Sequence, residues 1–353
     1  METRHVAIME ENADSEAASE LFEEAGRIIR SGGLVAFPTE TVYGLGGDAL
    51  NPESSRKIYA AKGRPSDNPL IVHIAKWENI LPITKNIPPE AKLLADAFWP
   101  GPLTMILQKS DLVPKETTGG LDTVAVRMPS HKTARRFIEK SCGYIAAPSA
   151  NTSGRPSPTL ARYVAEDMDG KIEMIIDGGQ VGIGLESTIV DLTEGRPTVL
   201  RPGYITHEML QKVLGEVDID RTILDANSKQ KPKAPGMKYR HYAPKAKLTI
   251  VAGSQERVIS RINELTEQAQ AKGQKVGIIG TKDSVAQYVG DSVKNAGSRT
   301  QEETIARELF RILREFDDEK VDVIFSESFD DSGIGQAIMN RLLKAAGHHV
   351  ENV

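Results

Sequence analysis

The sequence predicts an α/β protein with two domains, the second smaller than the first. Short apolar β-type runs alternate with stretches of helical periodicity from Ser15 to about residue 210. A second alternation of strands and helices begins at Leu248, after a basic segment that contains prolines. The 353 residues are enough for two domains of about 100–200 residues each. We therefore predict domains at 1–214 and 248–353, joined by a linker at 215–247.

The first domain opens with a predicted helix and then a predicted strand. The helix runs from Ser15 to Ser31, and Gly32-Gly33 supplies its end. The strand covers Leu34 to Phe37. The segment Tyr43 to Gly47 is too rich in glycine to continue a strand, so it reads as a turn or a weak phosphate loop. Later β-type runs cover 70–74, 103–107, 123–128, 144–147, 174–176, 188–192 and 198–200, with a helix at 52–61 before them.

The linker and the second domain differ in composition. Residues 229–247 hold seven Lys or Arg and no acid. After them, strands are expected at 248–251, 276–279 and 321–325, and helices around 305–316 and 338–346. Strands that alternate with helices over about 100 residues predict a small Rossmann-like parallel sheet.

Composition excludes several functional classes. A net charge of −5 argues against a surface devoted to nucleic acid. The single cysteine, Cys142, excludes an internal disulfide and a multi-cysteine zinc site, and it suits a reducing compartment. No apolar run reaches the roughly 18 residues of a membrane span, and residues 1–16 lack a signal peptide's pattern. We therefore expect a cytoplasmic protein without membrane association.

Two polar segments are candidates for phosphate binding. Lys62 and Arg64 are separated by one glycine, on a stiff loop that follows a predicted helix. Their side chains can donate hydrogen bonds to phosphate oxygens from two directions. Residues 148–159 place many hydroxyls and an amide directly after a buried strand, where ligands bind in open α/β sheets. Ordinary alternatives are a solvated charge pair for the first segment and turn or capping chemistry for the second.

Three further residues stand out along the predicted strands. Arg127 lies in an apolar run, where an unpaired cation is costly to bury, so a carboxylate from the protein or a substrate is expected beside it. Ser187 heads one strand and Arg201 closes the next, so the two can converge at one sheet edge. His73 and His131 lack metal-ligand spacing, and no catalytic triad has local support. The pattern favours positioning and electrostatic stabilisation of a nucleotide reaction.

A series of motifs strongly resembles the YrdC/TsaC family over residues 15–210. They are PTETVYGL at 38–45, KGRP at 62–65, WPGPLT at 99–104, the 148–159 run, STIVD at 187–191 and LRPG at 200–203. The segment APGMKYRHYAP at 234–244, with the second domain, is similar to the longer two-domain members of that family. The resemblance implies a twisted mixed α/β sheet with a cationic cavity, and a linker that folds over this cavity as a lid.

The resemblance also implies a function and a set of site residues. It implies synthesis of L-threonylcarbamoyl-AMP from L-threonine, bicarbonate or carbon dioxide, and ATP, with Mg²⁺ accompanying ATP and no metal site in the protein. Lys62 and Arg64 would be catalytic. The family pattern places Thr39, His73, Arg127, Ala147 and Ser187 around threonine, and Lys62, Arg64, Asn68, Thr123, Ser149, Asn151, Ser157, Arg201 and Tyr242 around ATP.

The implied product serves tRNA modification, so the expected partners are downstream tRNA threonylcarbamoyl transferase proteins, and stable tRNA binding is not required. Two other hypotheses compete. An RNA-binding or ribosome-assembly module is disfavoured by the net charge of −5 and by the lack of an aromatic stacking platform. A carbamoyltransferase of the hydrogenase-maturation type would carry a cysteine-rich zinc segment, which a chain with one cysteine lacks.

Overall fold

The computed structural model describes residues 2–220 and 241–353, which form two compact units. The described part of the first unit comprises residues 2–153, 157–182 and 186–220. The second comprises residues 154–156, 183–185 and 241–353. Most of the predicted lid linker, 221–240, lies outside the described residues.

The first unit contains eleven strands in one mixed sheet, together with seven α-helices, in its described residues. The strands are β1 (Arg4–Ala7), β2 (Val35–Phe37), β3 (Gly44–Asp48), β4 (Ile71–His73), β5 (Leu103–Gln108), β6 (Thr123–Arg127), β7 (Ile145–Ala147), β8 (Met174–Asp177), β9 (Thr188–Asp191), β10 (Thr198–Arg201) and β11 (Asp218–Ile219). The helices are α1 (Glu16–Arg30), α2 (Pro52–Lys62), α3 (Ile80–Ile83), α4 (Pro89–Phe98), α5 (Lys132–Lys140), α6 (Ala161–Met168) and α7 (His207–Leu214). The strand order is β1-β8-β2-β3-β7-β4-β6-β5-β9-β10-β11.

Local sequence signals explain where the first two helices begin and end. Ser15 caps α1 by accepting a hydrogen bond from the backbone amide of Ala18. Asn51 caps α2 in the same way, and Pro52 occupies its first turn, where no amide partner is needed. Gly63 ends α2 with a left-handed φ of 60°. This sharp stop turns the chain directly after Lys62.

The prediction for Tyr43 to Gly47 was wrong, because Gly44–Asp48 is the strand β3, paired antiparallel to β2. The glycines serve close packing there. A Cβ atom on Gly46 would lie 2.8 Å from Ile145 Cγ2 and 3.0 Å from the ring of Phe37. Gly44, Gly46 and Gly47 are not among the residues with positive φ. The segment is therefore neither a turn nor a phosphate loop.

Register places two different sets of side chains on the two faces of the central strands. His73 lies opposite Arg127, and Arg127 lies opposite Thr104. Directly paired residues project from the same face of a sheet, so these three polar residues share one face, which we call the site face. Alternate residues on the same strands, such as Val72 and Val126, enter the main hydrophobic core on the opposite face. A smaller buried apolar cluster accompanies the site face: Ile71, Ile106, Ala125, Ile189 and Leu200.

In its described residues the second unit has a five-stranded parallel sheet and three α-helices, which confirms the predicted Rossmann-like architecture. Its strands are β12 (Lys247–Ala252), β13 (Val276–Gly280), β14 (Ser292–Asn295), β15 (Val323–Glu327) and β16 (Val350–Asn352), in the order β14-β13-β15-β12-β16. Its helices are α8 (Gln255–Gln270), α9 (Glu302–Glu319) and α10 (Gly333–Ala345). No helix in the described part of the chain is both long and apolar enough to cross a bilayer.

Candidate active site

Lys62 is a buried cation with two backbone acceptors. Its side chain is 2% exposed, and its Nζ donates hydrogen bonds to the carbonyls of Ser149 and Asn151. The backbone carbonyl of Lys62 accepts from the amide of Ser153, at 2.8 Å. Lys62 is thus not a solvated charge at a helix end. It joins the end of α2 to the polar loop that follows β7.

Arg64 is held by the next turn of the chain. Its Nε donates to the carbonyl of Asn68 at 3.3 Å, and its Nη2 donates to the carbonyl of Pro69 at 3.1 Å. The side-chain oxygen of Asn68 is buried and has no hydrogen-bond partner among the residues that the structure describes. A buried acceptor without a donor is costly. Asn68 therefore offers an acceptor to a ligand at this position.

The loop after β7 is fixed by backbone hydrogen bonds to the segment around β3. Leu45 N donates to the carbonyl of Pro148 at 2.9 Å, and Ala150 N donates to that of Tyr43 at 2.8 Å. Ser149 Oγ then donates to Asn151 Oδ1 at 2.5 Å. These bonds orient the loop's polar groups in a single arrangement, as a preorganised binding site requires.

Arg127, at the end of β6, has the buried carboxylate partner that its setting predicts. Its Nη2 lies 2.7 Å from Oε1 of Glu40. Its Nη1 donates to Thr41 Oγ1 at 2.9 Å, and its Nε donates to the carbonyl of Gly101 at 3.4 Å. Thr41 Oγ1 lies 2.8 Å from Thr39 Oγ1, so the guanidinium is connected to two threonine hydroxyls of the 38–45 motif.

His73 is a neutral side chain on the site face. Burial, with a further contribution from the charge of Arg127, lowers the pKa of His73 to about 3. Its Nδ1 lies 3.1 Å from the carbonyl of Ile71. Because a carbonyl only accepts, Nδ1 carries the proton in the tautomer that makes this bond, and Nε2 is then an acceptor. A neutral imidazole can accept a hydrogen bond from a substrate hydroxyl.

Ser187 and Arg201 converge as the sequence predicts. Arg201 donates to the backbone carbonyl and to the hydroxyl of Ser187, and Ser187 Oγ lies 2.8 Å from Thr104 Oγ1. All three side chains are at least 95% buried. A guanidinium with two directed bonds to one residue presents a fixed face to an anion.

The remaining predicted residues occupy different surroundings. Ala147 lies opposite Ile71 in the sheet, and half-buried Thr123 begins β6. Ser157 Oγ donates to Glu186 Oε1 at 2.6 Å. Tyr242 belongs to the second unit, where its ring packs 5.0 Å from that of Phe310.

Sequence reasoning missed four side chains that contact the predicted set. Glu40 and Thr41 contact Arg127, Thr104 contacts Ser187, and Glu186 contacts Ser157. Glu40, Thr41 and Thr104 lie inside motifs that the sequence had singled out. Their polar side chains beside predicted strands are the sequence feature that could have identified them as site residues.

Comparisons with known proteins agree over almost the whole chain. A family model described as "Telomere recombination" matches residues 27–203, and one described as "Threonylcarbamoyl-AMP synthase, C-terminal domain" matches residues 205–347. The threonylcarbamoyl-AMP synthase of Pyrococcus abyssi is 52% identical over 93% of this chain and 95% of its own length. The chain belongs to the Sua5/YciO/YrdC family.

Other family members support the same relationship. The threonylcarbamoyl-AMP synthase of Bacillus subtilis is 51% identical over 93% of each chain. The crystal structure of P. abyssi Sua5 complexed with L-threonine has a TM-score of 0.91 and 48% identity, and the alignment covers 100% of both chains. These matches confirm the resemblance to the YrdC/TsaC family and the two-part α/β fold predicted from sequence.

The chemically prominent side chains of the candidate site are cations. Burial raises the pKa of the only cysteine, Cys142, to about 12, which leaves it a poor nucleophile. Within residues 2–220 and 241–353, no group of three or more His, Cys, Asp and Glu side chains is placed to hold a metal ion. The cations Lys62, Arg64, Arg127 and Arg201 are the chemically prominent groups.

Proposed function

We propose that the protein condenses L-threonine, bicarbonate and ATP into L-threonylcarbamoyl-AMP, with release of pyrophosphate and water. The reaction is a nucleotidyl transfer. The observation that carries the proposal is the full-length similarity to the Sua5 protein whose structure contains L-threonine. Buried Arg127, with the threonine hydroxyls beside it, supports the same substrate because it offers a cation to a carboxylate on the site face.

The site residues divide into two groups by chemistry. In the amino-acid group, Arg127 binds the substrate carboxylate. Nε2 of His73 and the hydroxyls of Thr39 and Ser187 form hydrogen bonds with the substrate hydroxyl. Ala147 contributes a small wall that leaves room for the ligand. The guanidinium of Arg127 suits this role, because a guanidinium can bind a carboxylate through two parallel hydrogen bonds.

In the nucleotide group, Lys62, Arg64 and Arg201 offset the charge of the ATP phosphates. The polar atoms of Asn68, Thr123, Ser149, Asn151 and Ser157 complete the nucleotide site. Tyr242 of the second unit stays a proposed nucleotide contact, and the lid role of 215–247 stays a proposal too. Magnesium enters as part of the substrate, bound to the phosphates.

The proposed reaction has two steps, the first at the amino-acid group and the second at the nucleotide group. The substrate amine adds to bicarbonate and loses water, which forms a carbamate. A carbamate oxygen then attacks the α-phosphorus of ATP, and the bond to the β-phosphate oxygen breaks as pyrophosphate leaves. Positioned cations stabilise the charge that develops on the phosphates. The product is a mixed anhydride that water destroys, so we propose prompt consumption in the cytoplasm by a transferase that modifies a tRNA adenosine.

Pyrophosphate release by the purified protein tests the proposal. ATP and Mg²⁺ are supplied throughout, and L-threonine and bicarbonate are each added or withheld in buffer stripped of carbon dioxide. We expect release only when both are present, a product with the mass of L-threonylcarbamoyl-AMP, and loss of release with EDTA. Release without threonine, or no release while the protein binds RNA tightly, would overturn the assignment.

A further inference from the structure

Glu40 is a buried carboxylate whose hydrogen-bonding capacity is unused. Its side chain is 12% exposed, and Oε1 lies 2.7 Å from Nη2 of Arg127. Despite this contact, both oxygens of Glu40 and Nη2 of Arg127 lack a directed hydrogen bond to any residue in 2–220 or 241–353. The two charges are adjacent, but the N–H groups of the guanidinium are not aimed at the carboxylate.

This arrangement is energetically incomplete. A carboxylate accepts about four hydrogen bonds, and a buried polar atom without a partner destabilises the folded protein. Arg127 keeps directed bonds from Nη1 to Thr41 and from Nε to the carbonyl of Gly101, whereas neither oxygen of Glu40 receives one from a described residue. Glu40 is thus the group of this cluster that is left to receive donors from a ligand.

The neighbouring histidine does not supply those donors. Burial lowers the pKa of His131, and the nearby charges of Glu10 and Glu40 oppose this with smaller effects. Its Nδ1 is also buried without a hydrogen-bond partner among the described residues. A neutral imidazole cannot take the place of a cation beside Glu40.

A zwitterionic α-amino acid has the charges that complement this pair. Its carboxylate matches Arg127, and its ammonium group, a donor of three hydrogen bonds, matches Glu40. We propose that Glu40 binds the amino group of the amino-acid substrate while Arg127 binds its carboxylate. In the free protein the two side chains neutralise each other, and the substrate replaces this contact with two better-directed ones. The inference rests on the proposed function, because it assumes an amino-acid substrate.

The same position makes Glu40 the proton acceptor for the first chemical step. An ammonium group has no lone pair and cannot attack carbon. Transfer of one proton from the ammonium to the carboxylate of Glu40 leaves a neutral amine and a carboxylic acid. The amine then forms its bond to the carbon of bicarbonate, hydroxide leaves with an amine proton as water, and the carbamate carries the negative charge. Glu40 then releases its proton to water and is a carboxylate again. Glu40 is therefore a catalytic residue as well as a binding one.

Comparison of two ligands tests the inference by isothermal titration calorimetry. The ligands are L-threonine and (R)-3-hydroxybutanoate, which lacks only the amino group. We expect the wild type to prefer L-threonine by at least about tenfold, equivalent to 1.4 kcal/mol. Glu40→Gln should lose most of this preference by weakening L-threonine alone. Glu40→Asp, which keeps the charge, should retain part of it.

The matched control is Glu53→Gln, which removes an exposed glutamate that pairs with Arg56 on α2. It should bind both ligands like the wild type. Equal weakening of both ligands by Glu40→Gln would overturn the inference, because Glu40 would then act only by orienting Arg127. A wild type that binds both ligands equally would overturn it without any variant, even if Glu40→Gln does not fold. A wild type that binds neither ligand would instead overturn the proposed function.

Discussion

Arg201 donates two hydrogen bonds to Ser187, from Nε to the backbone carbonyl at 3.0 Å and from Nη2 to the hydroxyl at 3.1 Å. This contact joins the end of β10 to the start of β9. It connects a residue of the proposed nucleotide group to one of the amino-acid group. A defect at Arg201 should therefore affect both substrates.

Arg201→Lys keeps the positive charge but replaces the planar guanidinium, whose two nitrogens donate to Ser187, with a single ammonium group. A lysine ammonium cannot make two bonds in the directions that a guanidinium fixes. We expect threonine-dependent pyrophosphate release to fall by about 10–100-fold, with KM rising for both ATP and L-threonine. Arg196→Lys, at an exposed arginine paired with Glu216, is the control and should leave both constants unchanged. A change in the KM for ATP alone would contradict the coupling.

Lys62→Met tests the buried ammonium with a side chain of similar length. The variant keeps the apolar stem and removes the charge that is proposed to face the phosphates. We expect pyrophosphate release to fall by at least about 100-fold, the scale of losing a preorganised electrostatic group. The measurement is the same assay, with ATP binding followed by calorimetry.

Lys57→Met is the matched control for that variant, because Lys57 is an exposed lysine on the same helix, α2. It should retain wild-type activity. Activity of Lys62→Met within about threefold of the control would show that Lys62 only fastens the loop after β7, a role worth no more than a modest stability term.

Gly46→Ala tests the packing account of β3. The added Cβ would lie 2.8 Å from Ile145 Cγ2, 3.0 Å from Phe37 Cε1 and 3.1 Å from the carbonyl of Val35. Overpacking of this kind costs about 1–3 kcal/mol, which for a domain of this size lowers the unfolding midpoint by roughly 2–10 °C. Calorimetric scans of the full chain measure the shift.

Gly182→Ala is the control for that substitution. A Cβ at Gly182 meets nothing within 4 Å, and its φ is not positive. Replacement should be neutral or stabilise by up to about 1 kcal/mol, because alanine restricts the unfolded chain. Equal midpoints for the two variants would contradict the packing explanation.

The fold was predictable wherever a strand is buried on both faces. Runs such as Leu103 to Leu107 and Thr188 to Leu192 are nearly continuous apolar sequences, and each proved to be a strand. The strands that sequence reasoning missed are mostly at sheet edges. β1, β14 and β16 lie at the ends of their sheets and contain no fully buried residue, so they lack an apolar run. β3 was missed for another reason, since glycines there make room for neighbouring side chains.

The site was predictable in its residue types more than in its contacts. Burial of Arg127 in an apolar run required a carboxylate, and the sequence alone could not choose Glu40 from the chain's other acids. That contact joins residues 87 positions apart, taken as 127 minus 40. Contacts over such separations depend on sheet register, which strand patterns do not determine. Asn68 shows the same limit, because its unpaired oxygen is apparent only once the chain is folded.

His73 should make the stability of the protein depend on pH. Its pKa is lowered from 6.5 to about 3 by burial and by the charge of Arg127, while the unfolded chain keeps the ordinary value. Between these values the unfolded state binds a proton that the folded state does not, so stability is full above pH 6.5 and falls as the pH is lowered towards 3. The loss approaches about 1.4 kcal/mol per pH unit.

His73→Gln removes this titration and should flatten the dependence of the unfolding midpoint on pH in that window, although the variant starts from a lower midpoint at neutral pH. His5→Gln is the control, because His5 is largely exposed beside Asp169. It should keep the wild-type slope between pH 6.5 and 4. Parallel curves for the wild type and His73→Gln would mean that His73 has the same pKa in the folded protein as in the unfolded chain, and would contradict a pKa lowered by burial and by the charge of Arg127.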